Sequence, residues 1–232
     1  MARQARLAVP GLAHCVRLTA LAGQPAFLDD EDLTRFRAHL TEAVRSHGVQ
    51  VHAFCLLPSR VDLLLRPEKD QGLSLAIQAL GRRYVASFNL RHGRQGTLWA
   101  GRFRACPLQP GSAELAAMAW VESGAELREH LAPTLLQSPA SSAMHHLGAR
   151  REQLVTDPPG YWALGNTPFE RELAYRALLG ADSAEVAHWA PRLQAGLRGG
   201  RGVGEAEFAS TLEVQLGLGP RRPRGRPPKV RL

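Results

Sequence analysis

VHAFCLLPSRVDLLL, residues 51–65, places two apolar runs on either side of Pro58-Ser59. Runs of this length around a turn-forming dipeptide predict two strands joined by a tight connection. With a side-chain period of two, Arg60, Asp62 and Leu64 share one face of the second strand, while Val61, Leu63 and Leu65 share the other. A charged pair therefore stands at the start of a strand that otherwise reads as core. A sheet enzyme would mount its chemistry at such a place.

Upstream, HCVRLT at 14–19 reads as a first strand. Asp29 to Asp32 makes an acidic helix start, and Leu33, Phe36, Leu40, Val44 and His47 follow at spacings of three and four, ending before Gly48. Downstream, RPEKDQG closes the strand pair, and Leu73, Ile77, Leu80, Tyr84 and Phe88 share one face of a second helix. Asn89 to Gly96 is a polar, basic loop, LWAGRFRACPL a further strand, and Gly111 to Glu122 a third helix. The order β-α-β-β-α-β-α predicts an α+β fold: a ferredoxin-like antiparallel sheet with helices on one face, over residues 1–130. Residues 131–156, rich in Pro, Ser and Ala, read as an irregular wrap or linker, and 157–218 as a small helical region in short pieces. Residues 219–232, with four prolines and six cations, predict a disordered basic tail.

With 44% apolar and 22% charged residues, the chain can bury a core. No apolar run approaches the ~20 residues of a spanning helix, and LAVPGLAHCVRL is too interrupted for a signal peptide. Cys15, Cys55 and Cys106 lie far apart in apolar surroundings. They read as buried free thiols of a cytoplasmic protein, without zinc spacing. The formal charge is +8, yet six of the cations fall between Arg221 and Leu232 with no acid among them. A polyanionic partner is implied there first, and no membrane.

That tail, PRRPRGRPPKV, resembles an AT-hook, with the core Arg224-Gly225-Arg226-Pro227 flanked by Arg222 and Lys229. Glycine lets the backbone lie on the groove floor, the prolines keep the segment extended, and the guanidinium groups can run along an A·T-rich minor groove.

Residues 1–130 resemble the REP-associated, single-tyrosine transposases of the His-hydrophobic-His superfamily. The stretches GLAHCV, QPAFLDDED, VHAFCLLPSRVDLLL and LGRRYVASFNLRHGRQGTLWAGRFRACPL carry the likeness. It continues more weakly through SSAMHHLG, WALGNTPFERELAYRALL and GEAEFASTLEVQLG. The resemblance implies binding of hairpin-forming single-stranded DNA at repeated palindromes. It also implies cleavage by a tyrosine that becomes linked to phosphate, assisted by a divalent cation such as Mg²⁺ held by two histidines.

The sequence departs from that pattern where the chemistry should be. The two histidine positions match Arg60 and Asp62, and the tyrosine position matches Trp120, with Gly124 and Ala125 in place of Asn-Pro. The Arg-Gly-Asn usual after the first strand matches Thr19, Ala20 and Leu21. An indole has no ionisable oxygen, and a guanidinium repels a metal ion. The expectation is a cytoplasmic, nucleoid-associated DNA-binding protein with no catalytic residues and no cofactor. The alternatives are a nicking enzyme that has relocated its chemistry to Tyr84 and Asp62, and a folded but functionally silent element.

Arg82, Arg83, Arg91, Arg94, Arg102 and Arg104, interleaved with Phe88, His92 and Trp99, read either as a solvated face or as a single-strand groove with stacking surfaces. His52 reads as a satisfied core histidine rather than a ligand, and His145-His146, with no carboxylate or cysteine nearby in sequence, as a surface pair rather than a metal-binding one.

Overall fold

The structure, a computed structural model, describes residues 8–124 and 137–217. The elements run β1 (His14–Thr19), α1 (Asp30–His47), β2 (Val49–Leu57), β3 (Arg60–Pro67), α2 (Gly72–Arg91), β4 (Arg104–Pro107) and α3 (Ser112–Glu122). Then come α4 (Ala143–His146), α5 (Pro159–Trp162), α6 (Pro168–Leu179), α7 (Ala184–Gly199) and α8 (Ala206–Gln215). The four strands pair antiparallel in the order β2-β3-β1-β4, the ferredoxin-like arrangement. The α+β class and the order of the first seven elements are as the hydrophobic pattern implies.

Local chemistry accounts for the element ends. The Asp29 carboxylate accepts from Asp32 N–H to cap α1, and three acids occupy its first turn, where the helix dipole favours them. Gly48 ends the helix at φ 62°, a left-handed conformation that glycine adopts without a Cβ clash. Across β2 and β3, Leu57 faces Arg60, so Pro58-Ser59 is the two-residue turn of a hairpin. The strand expected over LWAGRFRACPL is shorter than its apolar pattern, since Gly101 at φ 144° interrupts the extended chain and leaves Arg104–Pro107 as β4.

Helices cover both faces of the sheet. Phe54 pairs with Leu63, while the next residue, Cys55, pairs with Asp62, which also faces Arg17. These two sets point to opposite faces. The Arg37 guanidinium of α1 lies over the Phe54 ring, and Trp120 of α3 meets Arg17. So α1 and α2 pack on one face, where the helices were expected, and α3 with α7 closes the other. This is why Val61 to Leu65 are all buried, without the alternation of a half-exposed strand. Phe27, Phe36 and Tyr84 form the aromatic centre between α1 and α2, with ring centroids 4.9–5.8 Å apart.

Residues 137–156, within the segment read as a wrap or linker, run against the sheet. Leu56 N–H donates to Ala140 O at 2.7 Å, Ser142 N–H to Phe54 O, and Thr156 N–H to Val51 O at 2.8 Å. Residues 137–156 thus line the outer edge of β2. At the other edge, Val203 N–H donates to Pro107 O and Gln109 N–H to Val203 O, both at 2.8 Å. Strand edges left with free N–H and C=O groups invite pairing with other chains, and the second half of the chain covers both. No helix among the described residues is long and apolar enough to cross a membrane. The tail with Arg222, Arg224, Gly225, Arg226, Pro227 and Lys229 lies outside the described residues.

Candidate functional site

The positions matched to the family's catalytic groups converge. Arg60 and Asp62 stand on β3, and register with β1 puts Arg17 opposite Asp62. Arg17 Nε lies 2.5 Å from Asp62 Oδ1 and its Nη2 lies 3.1 Å from Oδ2, while Arg60 Nε reaches Oδ2 at 2.9 Å. Arg60 Nη2 also donates to Gly124 O at 2.5 Å, tying the strand to the end of α3. The Arg17 guanidinium sits 5.2 Å from the centre of the Trp120 ring. Asp62 and Trp120 are buried, and the two arginines nearly so.

Both carboxylate oxygens of Asp62 are thus occupied by guanidinium groups. A divalent cation there would lie between two like charges with no open oxygen to bind it, so these residues do not fit one. Arg17 escaped the sequence reading. Its only signal was a charge in the middle of HCVRLT, and its partner is defined by strand register.

Tyr84, the candidate relocated nucleophile, is remote from this triad. Its hydroxyl donates to Ala26 O at 2.6 Å, and its ring packs among Phe27, Phe36, Phe88 and Trp99. Burial, reinforced by the charges of Asp32 and Asp29, pushes the phenol well above its ordinary pKa. The group is held as a neutral donor inside the core.

The arginines expected on a DNA-binding face divide into two sets. Arg91 is bound to Asp29 at 2.5 Å and Asp32 at 2.6 Å, and His92 Nε2 stands 3.0 Å from Asp32. The Arg91 hydrogen bond holds the Asp29 carboxyl at about 2. Arg83 pairs with Glu42 at 2.5 Å, and the Arg94 guanidinium lies 5.4 Å from the Phe88 ring centre while donating to Gln24. These three serve α1, α2 and the following loop. Arg82, Arg102 and Arg104 are exposed and make no ion pair among the described residues. Arg104 faces Arg17 across β1 and β4, so Arg104, Arg17 and Asp62 form one row across three strands. Arg104 thus borders the triad.

The structure also gathers a cluster that local sequence did not reveal. His145-His146 is no exposed surface pair: His146 is fully buried, with Nδ1 2.7 Å from Glu122 Oε1, and His145 Nε2 lies 3.0 Å from Asp157 Oδ1. Glu122 further accepts from Ser142 Oγ at 2.5 Å and from the Tyr175 hydroxyl at 2.7 Å. Its signal was an acid closing the otherwise apolar helix AAMAWVE. His52 is buried as expected, with Nδ1 2.6 Å from Thr156 O, but its Nε2 has no hydrogen-bond partner among the described residues.

Comparison with family models and with curated proteins finds no match for the chain. Among solved structures, a REP-associated tyrosine transposase bound to a REP hairpin aligns with a TM-score of 0.54 over 69% of this chain and 93% of that chain, at 12% identity. The chain has a transposase-type fold. A second structure, from Deinococcus radiodurans and described as a transposase, is 19% identical over 47% of this chain and 88% of that chain. Its TM-score is 0.35. On the transposase-type fold, Arg60 and Asp62 occupy the positions that the sequence resemblance assigns to the metal ligands and Trp120 that of the nucleophile, with Arg17 added across the strand pair.

Proposed function

We propose that this chain is a DNA-binding protein on a transposase-type scaffold that recognises hairpin or single-stranded DNA and does not cut it. One observation carries the second half of that reading: Asp62 is saturated by Arg17 and Arg60 beside Trp120, so neither an ion nor a phenol is in place to attack a phosphodiester. The first half is supported by the hairpin in the structural relative and by the exposed cations Arg82, Arg102 and Arg104, of which Arg104 lies beside the triad. Trp99, half-buried beside them, adds an aromatic surface for a base. The tail from Arg222 to Lys229 supplies the second grip, on the minor groove of A·T-rich duplex, and the protein would reside with the nucleoid.

The test is a competition assay at physiological salt, with labelled hairpin, unstructured single strand, and A·T-rich or G·C-rich duplex, in Mg²⁺ and in Mn²⁺. The expected result is preference for the hairpin, no nicked strand and no covalent adduct. Deleting 219–232 is expected to remove the A·T preference and leave the hairpin preference. Equal affinity for every DNA, with a salt slope set by charge alone, ends the claim of recognition. A protein–DNA adduct ends the claim of lost cleavage.

A further inference from the structure

On the far side of Trp120, the end of α3 and residues 141–157 enclose a cluster that DNA binding leaves unused. His146 is fully buried, and Glu122 holds its Nδ1 at 2.7 Å. Glu122 is fixed in turn by Ser142 and Tyr175. A carboxylate on one imidazole nitrogen sets the ring orientation and aims the lone pair of the other, as in the outer sphere of metal sites. That other nitrogen, Nε2, has no hydrogen-bond partner of good geometry among the described residues. It stands 3.4 Å from Asp157 Oδ1, close enough for an ion pair but outside good hydrogen-bond geometry. His145 Nε2 is 3.0 Å from the same oxygen. One ligand atom from each of His145, His146 and Asp157 lies within 4.8 Å of the others.

The backbone holds this arrangement in place. Thr156 is pinned to β2 through Val51 O and through the His52 ring, which fixes the approach of Asp157. The Tyr161 hydroxyl donates to His146 O at 2.7 Å. The open side of the cluster meets a cavity of about 780 Å³ lined by His145, Asp157, Arg150, Arg151, Trp162 and Arg171, among others.

We infer that His145, His146 and Asp157 bind one divalent transition-metal ion of the zinc class, with Glu122 orienting His146 and the fourth coordination position open to the cavity. Two imidazole nitrogens and one carboxylate suit such an ion better than Mg²⁺, which prefers oxygen alone. Loading has an identifiable proton balance. His145 Nδ1 accepts from Glu152 N–H at 3.0 Å, so Nε2 carries the proton given to Asp157. Metal entry moves that proton to Nδ1 by way of solvent and breaks the Glu152 hydrogen bond; any proton on His146 Nε2 is released. Two hydrogen bonds, Glu152 N–H to His145 Nδ1 and His145 Nε2–H to Asp157, are exchanged for three coordinate bonds. Asp157 would act on the cation at contact distance and Glu122 through the His146 ring, while Arg150, Arg151 and Arg171 line the cavity beyond. Those arginines favour an anion as the fourth ligand.

The test uses the full chain stripped with EDTA, titrated with Zn²⁺ by calorimetry and with Co²⁺ by visible absorption. One equivalent per chain, a tetrahedral Co²⁺ spectrum and a raised Tm are expected. His145→Ala and Asp157→Asn should each weaken binding by about 100-fold or more, the upper end or beyond of what changes outside the ligand set produce. Circular dichroism of each apo variant checks the fold, and if Asp157→Asn does not fold, the partly exposed His145 decides alone. No saturable binding, or undiminished binding in a folded variant, overturns the site.

Discussion

Arg17 and Asp62 face each other across β1 and β3 and are joined by hydrogen bonds of 2.5 and 3.1 Å. Asp62 is fully buried and has Arg60 on its other side at 2.9 Å. Removing one member of a buried ion pair strands the remaining charge, at a cost of about 3–5 kcal/mol. Asp62→Asn is therefore expected to lower unfolding free energy by that amount in urea titrations. A loss under about 1 kcal/mol would mean the triad is solvated and contributes little.

Exchanging the whole triad tests the same electrostatics in the opposite direction. Arg17→Met, Asp62→Leu and Arg60→Met together remove both the attraction and the desolvation cost, and packed apolar replacements of such triads are often neutral or stabilising. The triple variant is expected to recover most of what Asp62→Asn loses. A variant less stable than Asp62→Asn contradicts this account.

Tyr84→Phe separates a core role from a catalytic one. The substitution leaves Ala26 O without its donor at a buried site, which costs about 1–3 kcal/mol. Hairpin affinity should be unchanged in the folded protein, and neither protein should nick DNA. Metal-dependent nicking by the wild type that vanishes in Tyr84→Phe would falsify the structural assignment.

His14 gives the fold an acid limit. Its Nδ1–H donates to Leu12 O at 2.8 Å and its Nε2 accepts Val9 N–H at 3.1 Å, a pattern only the neutral ring can make. Burial lowers its pKa from 6.5 to about 4. The unfolded chain therefore takes up this proton before the folded one, and stability falls as pH drops from 6.5 toward 4. The loss is roughly 3 kcal/mol, fully absent above 6.5. Urea midpoints over this range should show a steeper decline for the wild type than for His14→Gln. Parallel curves would rule out this contribution.

Arg82, Arg102 and Arg104 should behave differently from Arg91. Each exposed arginine that meets a phosphate contributes close to one unit to the salt dependence of binding. Alanine at all three is expected to flatten the slope of log affinity against log salt by about 2–3 with stability unchanged. Arg91→Ala instead frees Asp29 and Asp32 at the start of α1. It should lower Tm with a smaller effect on the slope. Equal slopes for wild type and the triple variant would remove these residues from the interface.

The hairpin around Pro58-Ser59, the buried faces of α1 and α2 and the ferredoxin-like order were legible in the sequence, because side-chain period and turn chemistry are local properties. So were the identities at positions 60, 62 and 120, since an indole cannot attack a phosphate in any surroundings. Tertiary structure alone decided what those residues do. Arg17 becomes the partner of Asp62 only when β1 registers against β3, 45 residues apart. His146 meets Glu122 across 24 residues and His145 meets Asp157 across 12, because 137–156 docks on the β2 edge rather than running free. Composition records that such a segment lacks periodicity; whether it is wrapped or loose depends on the unpaired strand edge it finds.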